Sequence, residues 1–321
     1  MAMARPIMPW TQACWAWLSV VKWRERQLIS TFQFCGLQQR IMQVDSHTSM
    51  AFWCGPQEPI QKPALLLIHG FGGSSTWQWE KKVEPLHKCF RLFLPDLLFF
   101  GKSSTKSHLR SETFQAQMIA LAMEAMSVST YGVVGISYGG FVAFRRAHMF
   151  PDKVEKVVIV SSPMCITPRD VQELLERAHV DNASDLFLPQ SPAILRTLLQ
   201  LSFLKSFPFL PTFVCNDVIQ NLYAENREER KELLESLQIG RQQVLPILPQ
   251  KVLIVWGDKD GIFPLELGHR LKEHLKENAE LAVIKNAAHA VQLENPPEFN
   301  HLILGFFLEG TATGTGTGTS Y

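Results

Sequence analysis

A serine flanked by glycines, Gly135-Ile136-Ser137-Tyr138-Gly139, is the motif in this chain with the clearest chemical meaning. A short β-branched run at 130–134 precedes it, and a helix-like stretch at 140–147 follows it. Strand, Gly-x-Ser-x-Gly and helix in that order are typical of a nucleophile elbow, a sharp turn that presents the serine hydroxyl. The glycines leave room for such a turn because they have no Cβ atom. The alternative is an ordinary serine in a turn.

A serine nucleophile needs a base within hydrogen-bond reach and an acid that orients the base. In the expected topology the order is Ser, acid, His, each after a strand. Asp258 and Asp260 both follow the apolar run 251–255, and we favour Asp260 because it stands at the turn facing the sheet edge. His289 follows the last apolar run, among small residues that let an imidazole approach. We therefore predict Ser137, Asp260 and His289 as a catalytic triad.

An oxyanion hole requires backbone N–H donors beside the serine. Tyr138 follows the nucleophile at a helix N-terminus, where N–H groups lack intrahelical partners. A glycine-rich loop, His69-Gly70-Phe71-Gly72-Gly73, follows another apolar strand, and Phe71 is the expected second donor. We predict that Phe71 and Tyr138 also contact substrate and that His69 has a structural role in the loop.

Apolar runs that alternate with helical patterns predict an α/β fold with a mainly parallel sheet. Strands are expected at 64–68, 90–94, 130–134, 154–160, 251–255 and 281–284, after a β-hairpin formed by 37–44 and 50–54. Helices are expected at 111–126, 265–274 and 297–308. The alternation breaks between 163 and 250, which predicts a helical lid after the sixth strand. Its apolar stretch 186–215 is expected to line the pocket, and its charged run 225–232 to be a solvated helix face.

The predicted organisation is a core of residues 36–163 and 251–309, a lid of 164–250, an N-terminal extension of 1–35 and a disordered tail of 310–321. The tail is a Thr/Gly repeat that cannot bury apolar surface. Within the extension, Ile7, Trp10, Cys14, Trp17 and Val21 form one stripe of a helix. This helix packs on the domain, lies on a membrane surface or belongs to a targeting peptide.

Composition excludes several function classes. With 31 basic and 30 acidic residues, the net charge of +1 gives no electrostatic case for nucleic acid. Six scattered cysteines form no Cys-x-x-Cys pair, so we expect no zinc site, no disulfide framework and a reducing compartment, the cytoplasm. No metal and no cofactor are expected for the predicted chemistry. The alternative is a protein attached to a membrane surface through the N-terminal helix.

The chain resembles the α/β-hydrolase superfamily, in particular a lidded plant branch similar to bacterial C–C bond hydrolases and epoxide hydrolases. The resemblance covers about residues 36–308 and is carried by five motifs: Leu67-Ile68-His69-Gly70-Phe71-Gly72, Pro95-Asp96-Leu97-Leu98-Phe99-Phe100-Gly101-Lys102-Ser103, Val134-Gly135-Ile136-Ser137-Tyr138-Gly139-Gly140, Trp256-Gly257-Asp258-Lys259-Asp260 and Ala288-His289-Ala290. It implies the same triad and oxyanion donors. Phe99 stands where many relatives have glycine, and this change is expected beside the pocket.

These residues predict a serine hydrolase that cleaves an apolar ester, in the manner of a carboxylesterase or lipase. Hydrolysis of a C–C bond in a β-diketone-like substrate is an alternative because it uses the same triad. A third reading is a small-molecule receptor on a hydrolase scaffold, and a fourth is a membrane-bound lipid enzyme. Epoxide hydrolysis is a poorer choice, because relatives with that activity carry aspartate where this chain has Ser137.

Overall fold

A computed structural model describes residues 19–56, 62–205, 209–237 and 245–308. Within these ranges nine strands form one sheet in the order β1-β2-β4-β3-β6-β7-β8-β9, with β5 pairing to β2. The strands are β1 (Gln38–Gln43), β2 (Thr48–Cys54), β3 (Ala64–Ile68), β4 (Arg91–Pro95), β5 (Ser104–Thr105), β6 (Tyr131–Ile136), β7 (Val154–Val160), β8 (Lys251–Gly257) and β9 (Ala279–Ile284).

The sheet is antiparallel at one edge and parallel through its centre. Strands β1 and β2 form the expected hairpin, and β2 also pairs antiparallel with β4. From β4 through β3, β6, β7 and β8 to β9 every pairing is parallel. The central strands β3 and β6 are buried along their whole length, which explains their continuous apolar sequences. The predicted fold class, a mainly parallel sheet flanked by helices, is confirmed.

Helices cover both faces of this sheet and divide the core into two layers. The described helices are α1 (Val20–Phe34), α2 (Ser75–His87), α3 (Glu112–Ala125), α4 (Tyr138–Met149), α5 (Pro168–Ala178), α6 (Ala183–Phe187), α7 (Pro192–Ser202), α8 (Thr212–Val218), α9 (Arg227–Ser236), α10 (Glu266–Leu275), α11 (Val291–Glu294) and α12 (Pro296–Leu308). Side chains of α1, α2 and α12 pack on one face, and those of α3, α4 and α10 pack on the other. Helix α2 was not anticipated from the sequence.

The interval between β7 and β8, here called the helical insertion (residues 164–250), has no strand in its described part. It contains α5 to α9 and a π-helical turn, Ile219–Tyr223, between α8 and α9. Two of its helices begin with a proline in the first turn and a hydroxyl cap, Thr167 for α5 and Ser191 for α7. The division of the chain into domains stays a prediction.

Helix α1 connects the start of the described chain to the helical insertion. The Asp217 carboxylate of α8 accepts hydrogen bonds from the Ser19 hydroxyl and the Val21 N–H, at 3.0 and 2.9 Å. Val21 is buried. The other residues of the predicted N-terminal stripe, and the predicted disordered tail, lie outside the described residues. None of the described helices combines the length and apolarity that a membrane span requires.

Candidate active site

Ser137 occupies the sharp turn between β6 and α4. Its φ of 52° places it in the left-handed region, which non-glycine residues rarely adopt outside strained functional turns. A Cβ atom on Gly135 would lie 2.2 Å from the Gly139 carbonyl oxygen, and one on Gly139 would lie 2.4 Å from the His69 carbonyl oxygen. The motif therefore needs both glycines, because the turn brings backbone against backbone on each side of the serine.

Asp260 and His289 meet at the same edge of the sheet. The Asp260 Oδ2 atom lies 2.9 Å from His289 Nδ1, and since a carboxylate only accepts, Nδ1 carries the proton. The Oδ1 atom accepts from the N–H groups of Ile262 and Phe263, at 2.9 Å each. The Asp260 side chain is fully buried, whereas that of His289 is 12% exposed. This geometry favours Asp260 over Asp258 as the partner of the imidazole and leaves Nε2 free to face the cavity.

The oxyanion loop (residues 69–73) lies against the elbow and is held by Gln78 of α2. The Gln78 Oε1 atom accepts from the Gly70 N–H at 2.6 Å, and its Nε2 donates to the Gly72 carbonyl at 2.9 Å. These two bonds bracket Phe71, whose N–H is the expected donor. Tyr138 is the first residue of α4, and its ring packs edge-to-face on Phe71 with 5.7 Å between centroids. Phe71 lines the cavity, whereas Tyr138 is not among its lining residues.

His69 has the structural position that the sequence predicted. Its Nδ1 donates to the Gly70 carbonyl at 2.7 Å, and its Nε2 accepts from the Leu97 N–H at 2.9 Å. Burial lowers the pKa of His69 to about 4, because a charged imidazole would be desolvated there. Both ring nitrogens are engaged, so His69 links two loops and is not available as a base.

A cavity of about 400 Å³ opens over Ser137 and His289. Among the described residues that line it, none is Asp, Glu, Lys or Arg. The helical insertion supplies most of the apolar wall. Six of these residues lie in the stretch 186–215, as expected, namely Phe187, Leu195, Leu198, Leu199, Phe203 and Leu210, and two follow it, Val218 and Leu222. The described lining is therefore mainly apolar and carries no carboxylate, ammonium or guanidinium group.

The helical insertion is also hydrogen-bonded to the loop that carries His289. Glu294 accepts from the Ala288 N–H through Oε2 at 2.6 Å and from the Leu204 N–H through Oε1 at 2.7 Å. The Ala290 N–H donates to the Ser202 carbonyl at 3.1 Å. One carboxylate thus joins the His289 loop to the end of α7. Sequence reasoning missed Gln78 and Glu294, since neither belongs to a motif.

Two expectations about this region are corrected. Arg230, in the run predicted as a solvated helix face, is 5% exposed, because its Nε donates to the Phe99 carbonyl at 2.8 Å. Its neighbours Glu228, Lys231 and Glu232 are exposed as predicted. Phe99 is not among the cavity-lining residues; it has a φ of 74° and its ring lies under the Arg110 guanidinium. Phe99 thus contacts Arg230 through its carbonyl and Arg110 through its ring.

Comparison with known proteins agrees with this fold. Residues 63–296 match the family model described as alpha/beta hydrolase fold, so the chain belongs to the α/β-hydrolase family. It is 28% identical over 263 residues to a 2-hydroxy-6-oxononadienedioate/2-hydroxy-6-oxononatrienedioate hydrolase from a Pseudomonas species, covering 75% of this chain and 87% of the relative. It is 27% identical over 245 residues to Lipase 1 of Psychrobacter immobilis, covering 72% of each.

Solved structures of similar fold include a membrane phospholipase A described as a bacterial virulence factor. The two share 22% identity with a TM-score of 0.74, over 94% of this chain and 97% of the other. At this identity the likeness concerns the fold alone. The relatives in sequence are thus hydrolases, and they include a lipase and an oxononadienedioate hydrolase.

Proposed function

We propose that this protein is a serine hydrolase that cleaves neutral, apolar carboxylic esters through Ser137, His289 and Asp260. The observation that carries the proposal is the neutral, apolar cavity that opens directly over Ser137 and His289. Pockets lined by apolar side chains with a few convergent polar groups are typical of small-molecule sites. Ester hydrolysis fits this setting because the substrate carries no charge to be desolvated.

In the proposed mechanism, the Ser137 hydroxyl oxygen attacks the ester carbonyl carbon while His289 Nε2 takes the hydroxyl proton. Asp260 holds the imidazole by its Nδ1–H and stabilises the imidazolium. The carbonyl oxygen becomes negative and accepts from the N–H groups of Phe71 and Tyr138. The C–O bond to the alcohol then breaks, and His289 returns the proton to the alcohol. Water, activated by His289, hydrolyses the acyl-enzyme and regenerates Ser137.

Hydrolysis of a C–C bond is the second candidate, favoured by the oxononadienedioate hydrolase relative. Its named substrates are dioates, which carry carboxylates. A buried carboxylate needs a cationic partner, and no Lys or Arg is among the described residues lining this cavity. The cavity therefore supports the ester over a carboxylate-bearing diketone.

The test is turnover of p-nitrophenyl esters of increasing acyl length beside a 2-hydroxy-6-oxohexadienoate. We expect turnover of the esters, a preference for medium acyl chains and negligible turnover of the dienoate, with Ser137→Ala inactive throughout. Preferential cleavage of the dienoate would replace the ester proposal with the C–C proposal. A folded chain that takes up an apolar ligand but turns over neither substrate would support the receptor reading.

The membership of a plant branch, the cytoplasmic location and a membrane contact stay predictions. Liposome co-sedimentation of the chain with and without residues 1–18 tests the membrane contact, because this truncation keeps Ser19 and helix α1. Loss of sedimentation on truncation would support it, and equal sedimentation would remove it.

A further inference from the structure

Tyr223 is a polar side chain of the helical insertion that enters the cavity beside the oxyanion loop. It is 6% exposed and lines the same cavity as Ser137 and His289. A Cβ atom built on Gly72 would lie 3.5 Å from the Tyr223 hydroxyl oxygen. The hydroxyl therefore lies against the loop that carries the proposed oxyanion donor Phe71.

This hydroxyl has no hydrogen-bond partner in the part of the chain that the structure describes. Polar groups inside a protein are nearly always paired, so a hydroxyl that faces a cavity without a protein partner is available to a ligand. Gln78 also lines this cavity, but both polar atoms of its side chain are hydrogen-bonded to the oxyanion loop. An unpaired hydroxyl in a largely apolar cavity is suited to bind an oxygen of the substrate.

The surrounding structure fixes the position of Tyr223. It ends the π-helical turn Ile219–Tyr223, a type of turn that occurs frequently at functional sites. Arg230 donates from Nη1 to the Leu222 carbonyl at 2.6 Å and lies over the Phe100 ring, 4.4 Å from its centroid. Phe100 in turn packs edge-to-face on Phe71 with 5.3 Å between centroids. Arg230 thus holds the Tyr223 turn and the oxyanion loop together.

We propose that Tyr223 is a catalytic residue whose hydroxyl donates a third hydrogen bond to the substrate carbonyl oxygen. The bond strengthens when Ser137 attacks and the carbonyl electron pair moves onto that oxygen. Tyr223 keeps its proton throughout, and His289 alone moves the serine proton. Burial raises the pKa of Tyr223 to about 12, so the phenol remains a donor at neutral pH. This inference rests on the proposed function, because the oxyanion forms only in acyl transfer.

The test is Tyr223→Phe, which removes one oxygen atom and keeps the ring. A hydrogen bond to a charged oxygen contributes about 1.5–3 kcal/mol, so kcat for a medium-chain p-nitrophenyl ester should fall roughly 10- to 100-fold. KM should change less than about threefold. The matched control is Tyr131→Phe, since the Tyr131 hydroxyl is buried without a hydrogen-bond partner among the described residues and lies outside the cavity lining. It should keep wild-type kcat.

Inhibitors separate oxyanion binding from a structural role. An alkyl trifluoromethyl ketone forms a charged adduct with the serine, whereas the matching alkyl alcohol binds only as a neutral ligand. Tyr223→Phe should lower the affinity for the ketone by the same factor as kcat and leave the affinity for the alcohol unchanged. The proposed role of Tyr223 would be overturned if the variant kept wild-type kcat and wild-type affinity for the ketone. It would also be overturned if the variant lost affinity for the ketone and the alcohol equally. Neither outcome would contradict the proposed ester hydrolysis. A wild type that neither hydrolyses esters nor binds the ketone would overturn the proposed function as well.

Discussion

Gln78 is expected to determine how well the oxyanion loop is positioned. Gln78→Ala removes its bonds to the Gly70 N–H and the Gly72 carbonyl and leaves the buried Gly70 donor without its partner. Each of the two hydrogen bonds contributes about 0.5–1.5 kcal/mol net to stability, and leaving a buried donor unpaired costs about 1–3 kcal/mol. Since these terms overlap, we expect a loss of about 2–4 kcal/mol in the free energy of unfolding.

The catalytic consequence follows from the position of Phe71 between the two bonds. Complete loss of one oxyanion donor costs about 10²–10³ in kcat. Gln78→Ala loosens the donor without deleting it, so we expect kcat to fall roughly 10- to 100-fold. KM should change little, because the apolar wall is intact.

The assay pairs steady-state hydrolysis of a p-nitrophenyl ester with urea unfolding of the same preparation. The matched control is Gln250→Ala, which removes another buried glutamine, bonded to the Ala147 carbonyl at 3.0 Å and absent from the cavity lining. It should lose stability and keep kcat. If Gln78→Ala lost only stability, as the control does, the link between this glutamine and the oxyanion hole would be refuted.

Three other substitutions have defined outcomes. Lys82 is fully buried, its Nζ is unpaired among the described residues, and desolvation lowers its pKa to about 7. Lys82→Met should therefore raise the free energy of unfolding at pH 7 by about 2 kcal/mol in urea titrations. Wild type should also gain stability from pH 7 to 9, because the unfolded lysine holds its proton up to about 10.5, and the variant should lack this gain. Glu294→Gln replaces one of the two carboxylate oxygens that accept from the Ala288 and Leu204 N–H groups, and it should lower kcat/KM about tenfold in ester assays. An unchanged value would show that Glu294 does not position the His289 loop. Asp260→Asn should lower kcat by ~10⁴-fold with a folded chain by circular dichroism, and a loss below tenfold would contradict the orienting role.

The sequence predicts those parts of the fold and site that are encoded by contiguous residues. Ser137 and Asp260 follow the buried apolar strands β6 and β8, and His289 follows the partly buried edge strand β9. Parallel strands bring their carboxyl ends to one edge of the sheet. Local pattern and topology therefore suffice to predict that the three residues lie at the same edge of the sheet. The hairpin at β1 and β2 is likewise local.

The remaining features depend on contacts between residues far apart in the sequence. Arg230 lies in a charged run typical of an exposed helix, and its burial depends on the carbonyl of Phe99, 131 positions away. Glu294 joins a loop six residues before it to Leu204, 90 positions away. Helix α2 was missed because its sequence is largely polar and contains Pro85, so tertiary packing of Trp79, Val83 and Leu86 decides its conformation.

Covalent labelling of Ser137 tests the central claim most directly. Wild type and Ser137→Ala are incubated with an alkyl fluorophosphonate, and intact mass and peptide mapping then locate the adduct. We predict one adduct per wild-type chain, on the peptide containing Ser137, its formation suppressed by an apolar ester that is itself turned over. The alanine variant should remain unlabelled. An unlabelled wild type, or an adduct that persists in Ser137→Ala, would contradict the assignment of Ser137 as the nucleophile.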